Sequence, residues 1–330
     1  MKAIIPVAGV GSKLRPHTHT HPKALIPVAG KPILAYIIDS LAEAGVRDFV
    51  FVVGYLGEKI KEFVDAYYPD YNNVFVVQSN REGIGDAIWE TREEIKDEDE
   101  IVVALGDTIF ELNLPQLLNN EHSTIATKKV QDPRDFGVAE LDEAHYIQRL
   151  VEKPDIPKSN HAIVGVYKIQ EVQALLEALQ YNIENDIRTH NEFQLTDAIM
   201  HMIEQGIPIV SFNIVNWFDC GKKETLIDTN ATLLKKPEFV TENNQFESTI
   251  VIPPVNIEPN CNIENSIIGP YVSIGDQANL HYAIVRNSII GPHAQILNAM
   301  LNSSIIGSDA TLKGVLQSLN IGDSTEINYE

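Results

Sequence analysis

The chain has 330 residues, 44% of them hydrophobic, which predicts about two domains with a sizeable core. A formal charge of −21 argues against nucleic acid as a principal partner, because binding a phosphate backbone demands a basic surface. No run of about 18 apolar residues offers a membrane span, and the two cysteines, Cys220 and Cys261, form neither a disulfide framework nor zinc spacing, which suits a reducing cytoplasm.

The opening KAIIPVA reads as a buried strand, too short an apolar run for a signal peptide. It leads into GVGSKLRPHTHTHPK, residues 9–23, a loop holding Gly9, Gly11, Lys13, Arg15 and Lys23 together with His17, His19 and His21. In so acidic a chain a local basic cluster demands a cause. PILAYIIDSLAEAG has helical apolar spacing and stops at Gly45. DFVFVVG, NVFVVQ and EIVVALGD are then predicted strands, separated by predicted helices EKIKEFVDAYY and GDAIWETREEIK, with Trp89 on the core face of the latter. Strands alternating with helices of this length predict βαβ units and a Rossmann-like, mainly parallel sheet flanked by helices. In such sheets ligands bind beyond the carboxyl ends of the strands, where both GVGSK and GDT stand.

From about 123 to 168 shorter strands are predicted: STIATKKV, FGVAELD, YIQRLVEK and HAIVGVYKI. Helices follow around QEVQALLEAL and FQLTDAIMHMIEQG, then a strand, PIVSFNIV, and a helix, KKETLIDTNATLLKK. Near residue 236 the texture changes. KPEFVTENNQFEST reads as a linker over 236–249, and beyond it aliphatic residues recur about every six positions. Ile257, Ile263, Ile268, Ile274 and Leu280 form one series; Ile290 with Ile296, Ile306 with Leu312, and Ile321 with Ile327 form pairs. This period predicts a parallel β-helix with one inward side chain per flat face, slipping at five-residue steps from 252 to 257 and from 263 to 268.

The glycine loop fits neither common phosphate motif. A dinucleotide fingerprint fails at Leu14, and the order is wrong for a Walker A loop. A plain tight turn needs the glycines but leaves Lys13, Arg15 and Lys23 without a purpose. Glycines that let backbone N–H groups approach phosphate oxygens, with cations to neutralise them, account for both.

PVAGVGSKLRPHTHTHPKALIPVAGKP resembles the signature of the sugar-nucleotide pyrophosphorylases, which join an NTP to a sugar 1-phosphate. Their usual form is A-G-x-G-[ST]-R-L-x-P-x-T, then P-K, then P-V-x-x-K-P. Further motifs follow in the family's order: QSNREG, LGD, FGV, EKP, GVY and WFDCGKKETL. The resemblance covers residues 1–235 as a catalytic domain. The repeats of 250–330 resemble the left-handed β-helix tail of longer members.

The resemblance implies the following roles. Ala8, Gly9, Gly11, Ser12 and Lys13, with Gln78, Gly83 and Asp107, bind the nucleotide. Gln78 offers the base an acceptor and a donor, which suits a pyrimidine, and Gly83 lets the base lie near the backbone. Gly137, Glu152, Lys153 and Gly165 receive the sugar phosphate. Asp107 and Asp219 hold Mg²⁺ through hard oxygen ligands, and Lys13, Lys23 and Asp107 carry catalysis. Lys13 replaces the usual arginine, keeping the charge without the bidentate fork.

The expected substrates are dTTP or UTP and glucose 1-phosphate, in a cytoplasmic homo-oligomer. Two alternatives are a bifunctional enzyme whose β-helix also transfers acyl groups, with His281 and His293 as bases, and a non-catalytic nucleotide-binding regulatory subunit. His17, His19 and His21 would face one side of an extended segment but lack companions for a metal, so they read as polar loop residues. Glu192, Gln194 and Asp197 stand near the expected sugar pocket, with helix capping by Asn191 as an equal account.

Overall fold

Strand Lys2–Pro6 runs parallel to Asp48–Val53 on one side and to Ile101–Ala104 on the other, in a computed structural model that describes residues 1–240 and 246–314. Beyond Asp48–Val53 the sheet continues with Asn72–Val77, again parallel. On the other side His161–Ile169 joins Ile101–Ala104 antiparallel, and the hairpin Gly137–Leu141 with Ile147–Glu152 extends the sheet. Ser123–Lys129 and Ile209–Asn213 branch from His161–Ile169 and complete nine strands. The chain therefore leaves Lys2–Pro6 first to one side and later to the other. That reversal opens a crevice at the carboxyl ends of Lys2–Pro6 and Ile101–Ala104.

The helices follow the apolar spacing. In Leu195–Glu204 the buried residues include Leu195, Ala198, Ile199 and Met202, one stripe facing the sheet. Its N-cap is Gln194, and Asn191 instead has a positive φ of 63°, so the capping expected of Asn191 does not occur. The helix predicted over GDAIWETREEIK is two helices, Ile84–Glu90 and Arg92–Ile95. Thr91 lies between them, wholly buried, with its hydroxyl donating to Ile88 O at 2.7 Å. Such back-bonding by a β-branched residue competes with the helical ladder. Trp89 packs partly buried against the core, as expected.

One pairing has no counterpart among the predicted elements. Thr108–Glu111 pairs antiparallel with Asn216–Asp219, and the register sets Asp219 opposite Thr108.

The chain divides into two compact units. The first holds Met1–Pro27 and Lys31–Thr229; the second holds Val28–Gly30 and the chain from Asn230 onward. In the second unit, three sheets of short parallel strands stack as in a left-handed β-helix. The register aligns Ile263, Leu280, Ile296 and Leu312 in one column and Ile257, Ile274, Ile290 and Ile306 in another. A third runs through Ile268, Val285 and Leu301. The series 257, 263, 268 thus visits the three faces in turn. The five-residue steps make each coil slightly shorter than three full hexads. The repeat LNIGDSTEI, with Ile321 and Ile327, and part of the expected linker lie outside the described residues.

Asn230 is the polar centre of this unit, wholly buried. Its Oδ1 accepts from Ala29 N at 2.8 Å and from Ser273 Oγ at 2.7 Å. Asn230→Ala leaves both donors without a partner, so we expect a stability loss of about 2–4 kcal/mol, read as a lower unfolding midpoint in denaturant. An unchanged midpoint would contradict this assignment.

Candidate functional site

Two adjoining cavities occupy the first unit's crevice, of about 360 Å³ and 270 Å³. They share Lys23, Ile84, Leu105 and Asp107 as lining. Ala8, Gly9, Gln78 and Gly83 line the smaller one. Gly11, Ser12, Lys13, Gly137, Glu152, Lys153, Gly165 and Asp219 line the larger. The fourteen residues singled out from the sequence therefore converge on one crevice.

The glycine loop is stiffened by three successive 3₁₀ turns, Ser12–Leu14, His17–His19 and Lys23–Leu25. Gly11 opens the first with φ 65°, and the buried Thr18 hydroxyl donates to Gly11 O at 2.9 Å. The buried Leu14 anchors the loop from within. Because His17–His19 is a turn, the three histidines do not alternate along an extended segment. They line neither cavity, nor does Arg15, which is exposed.

At the shared wall, Lys23 Nζ meets Asp107 Oδ2 at 2.5 Å. Asp219 arrives on the other strand of the two-stranded pairing, and its Oδ1 accepts from Gly221 N at 2.9 Å. Burial pushes the Asp219 carboxyl above its ordinary range, and the charge of Asp107 pushes it further. Two carboxylates thus act on each other in one region, with Lys23 paired to Asp107. Among the described residues no group of three or more His, Cys, Asp or Glu side chains could hold a metal ion. Asp107 and Asp219 suit a Mg²⁺ that keeps most ligand positions for phosphate and water, as this ion prefers.

At the far end of the larger cavity, Glu152 stands opposite Gly137 in the antiparallel register. A Cβ on Gly137 would come within 3.0 Å of Glu152 Oε2, so glycine clears room for the carboxylate. The buried Thr196 hydroxyl donates to the same Oε2 at 3.3 Å, and Lys153 Nζ lies 3.4 Å from Oε1. Gly165, with φ 82°, sits where the register of His161–Ile169 shifts, and it packs against Leu105.

In the smaller cavity, Gly83 has φ 115°, and an added Cβ would fall 2.4 Å from Phe193 O. The segment behind it is bound by Phe193 N to Glu82 O at 2.6 Å and Gly85 N to Phe193 O at 2.8 Å. Glu192 lines this cavity rather than the larger one expected. Gln194 is buried and donates to Glu192 Oε2 at 3.1 Å, whereas Asp197 lines neither cavity and has a buried Oδ2 without a partner among the described residues.

Sequence reading passed over several lining residues. Trp217 packs edge-on against Phe136 at 4.5 Å, and its buried Nε1 has no partner among the described residues. It stands two positions before Asp219 in the quoted WFD stretch, which was the available signal. Tyr167 is held protonated by burial, with Glu152 and Asp107 acting in the same direction. Asp135 and Lys222, which line the larger cavity, pair at 2.8 Å; Lys222 lies within the quoted WFDCGKKETL, and nothing in its local sequence marks Asp135. In the second unit, Asn262 Nδ2 contacts His281 Nε2 at 3.3 Å, and His281 Nδ1 lies 3.4 Å from Glu264; His293 sits at a turn with φ 58°. No helix among the described residues is long and apolar enough to cross a membrane.

The low-salt glycan biosynthesis nucleotidyltransferase Agl11 of Haloferax volcanii is 33% identical over 243 residues, covering 71% of this chain and 66% of that protein. The chain thus spans just under two thirds of that relative. A glucose-1-phosphate thymidylyltransferase of Streptomyces antibioticus is 35% identical over 260 residues, 76% of this chain and 71% of its own. The solved structure of a UDP-glucose pyrophosphorylase from Acinetobacter baumanii superposes with a TM-score of 0.62 over 72% of this chain and 95% of its own, at 21% identity, and supports the fold alone. The family model described as nucleotidyl transferase matches residues 2–236, and the chain belongs to that family.

Proposed function

We infer that the protein transfers a nucleoside monophosphate from an NTP, dTTP or UTP by preference, to a hexose 1-phosphate, glucose 1-phosphate by preference. The observation that carries this reading is the shared wall of Lys23 and Asp107 between a glycine-lined cavity with an amide reader and a cavity with Glu152 and Lys153. A phosphate oxygen of the sugar phosphate attacks the α-phosphorus. The new P–O bond forms as the bond to the bridging oxygen breaks, and pyrophosphate leaves with that electron pair.

No protein nucleophile is needed, because the attacking phosphate is already an anion. The chain's task is to bring two polyanions together and hold them in line. Lys23 neutralises the meeting phosphates, Lys13 and the loop N–H groups hold the triphosphate, and Lys153 holds the sugar phosphate. Glu152, set by Thr196, accepts from sugar hydroxyls. Bound by Asp107 and Asp219, Mg²⁺ would supply charge neutralisation of the departing pyrophosphate. The thymidylyltransferase relative and the amide reader favour a pyrimidine nucleotide, and a cytoplasmic homo-oligomer remains the expected state.

The test is pyrophosphate release from each NTP and dTTP with a panel of hexose 1-phosphates and Mg²⁺. Release with dTTP or UTP is the expected result; none with any pair would overturn the reading. In the same assay Lys13→Arg is expected to raise kcat/KM about three- to tenfold by restoring a planar fork on the phosphates. A fall in rate would show that the lysine is matched to this loop.

A further inference from the structure

The sequence gives Gln78 a donor and an acceptor for the base, but the structure leaves only the acceptor. Gln78 is 6% exposed at the floor of the smaller cavity. Its Nε2 donates to Gly83 O at 3.0 Å and to Asp86 Oδ2 at 2.7 Å. Both amide hydrogens are thereby used, and Oε1 has no partner among the described residues. Asp86 lies in the first turn of Ile84–Glu90 and is half-buried, so its position is set by the helix.

A backbone carbonyl and a carboxylate only accept hydrogen bonds. Turning the amide over would press Oε1 against two acceptors and forfeit two hydrogen bonds, one of them charge-assisted. The orientation of Gln78 is therefore fixed by the chemistry of its neighbours. We propose that Asp86 is a positioning residue that locks the Gln78 carbonyl toward the nucleotide, so that the cavity selects bases with a ring N–H, as in uracil and thymine, over cytosine and adenine. The inference rests on the nucleotide-binding reading above. Uracil and thymine bring N3–H to the acceptor. Cytosine would bring its N3 lone pair, and adenine its N1 lone pair, against the oxygen lone pairs of Gln78. A site built around one hydrogen-bonding partner discriminates strongly against a ligand that leaves it unpaired.

The experiment is calorimetric binding of UTP, CTP and N3-methyl-UTP, each with Mg²⁺, to the full chain and to its Asp86→Ala and Asp86→Glu variants. For the parent protein UTP is expected to bind about 100-fold more tightly than CTP or N3-methyl-UTP. Asp86→Ala should cut the UTP-to-CTP ratio about tenfold, mainly by tightening CTP, and Asp86→Glu should restore part of it. A residue that merely supported the fold would weaken all nucleotides together and leave the ratio unchanged, which would overturn the proposal. If Asp86→Ala fails to fold, equal binding of UTP, CTP and N3-methyl-UTP by the parent chain overturns it equally. Base-selective binding without pyrophosphate release would uphold this inference and overturn the proposed reaction; no binding of any nucleotide would overturn both.

Discussion

Replacing Lys23 by alanine is expected to lower kcat/KM for pyrophosphate release by about 10²–10³-fold, the size of loss seen when one preorganised charge is removed from a developing anion. Lys23 is the one cation among the described residues that lines both cavities. Its ammonium lies 2.5 Å from Asp107, and its side chain is only 17% exposed. The partly buried position makes the charge act through a medium that screens it less than water does. The loss should appear chiefly in kcat, because the lysine acts where the two phosphates meet rather than at either end of the site. Circular dichroism should match the parent protein. A variant within threefold of the parent rate would remove Lys23 from the reaction.

Asp219→Asn is expected to abolish most activity and yet to stabilise the metal-free protein, raising Tm by roughly 2–4 °C. Asp219 carries a charge that burial disfavours and Asp107 repels, with its carboxyl above the ordinary range. A carboxyl whose folded pKa is raised binds its proton more tightly folded than unfolded. Stability is then lost as pH rises from the unfolded carboxyl value through the raised folded one, and is constant beyond. The asparagine escapes that loss, so the Tm gap should be absent in acid, open with rising pH and then level off. Mg²⁺ should close it by stabilising the parent protein alone. A variant less stable than its parent at neutral pH without metal would count against this balance of charges.

The three patterns most visible in the sequence are strictly local ones. Aliphatic side chains three or four apart define the helices, runs such as DFVFVV define strands buried on both faces, and the six-residue period defines the repeat unit. The glycine loop was legible because its glycines, Lys13 and Lys23 lie within fifteen residues of one another. The Thr108–Glu111 pairing with Asn216–Asp219 was not, because its partners are distant in the chain and short strands carry little periodicity. The break at Thr91 comes with a single hydrogen bond, and the cap at Gln194 makes no side-chain bond at all, so sequence spacing encodes neither. Within the site, the positions of Gln78 and Asp107 followed from their motifs. The groups that set other site residues did not: Asp86 behind Gln78 and Thr196 behind Glu152 belong to separate elements that only the fold brings together.

In the proposed reaction a nucleoside triphosphate and a sugar 1-phosphate meet over Lys23 and Asp107. A crystal structure with a non-hydrolysable UTP analogue, glucose 1-phosphate and Mg²⁺ tests it most directly. The α-phosphate is expected within hydrogen-bond reach of the Lys23 ammonium, the base against Gln78 and Gly83, and the sugar phosphate beside Lys153. A triphosphate bound away from Lys23 and Asp107 would contradict it.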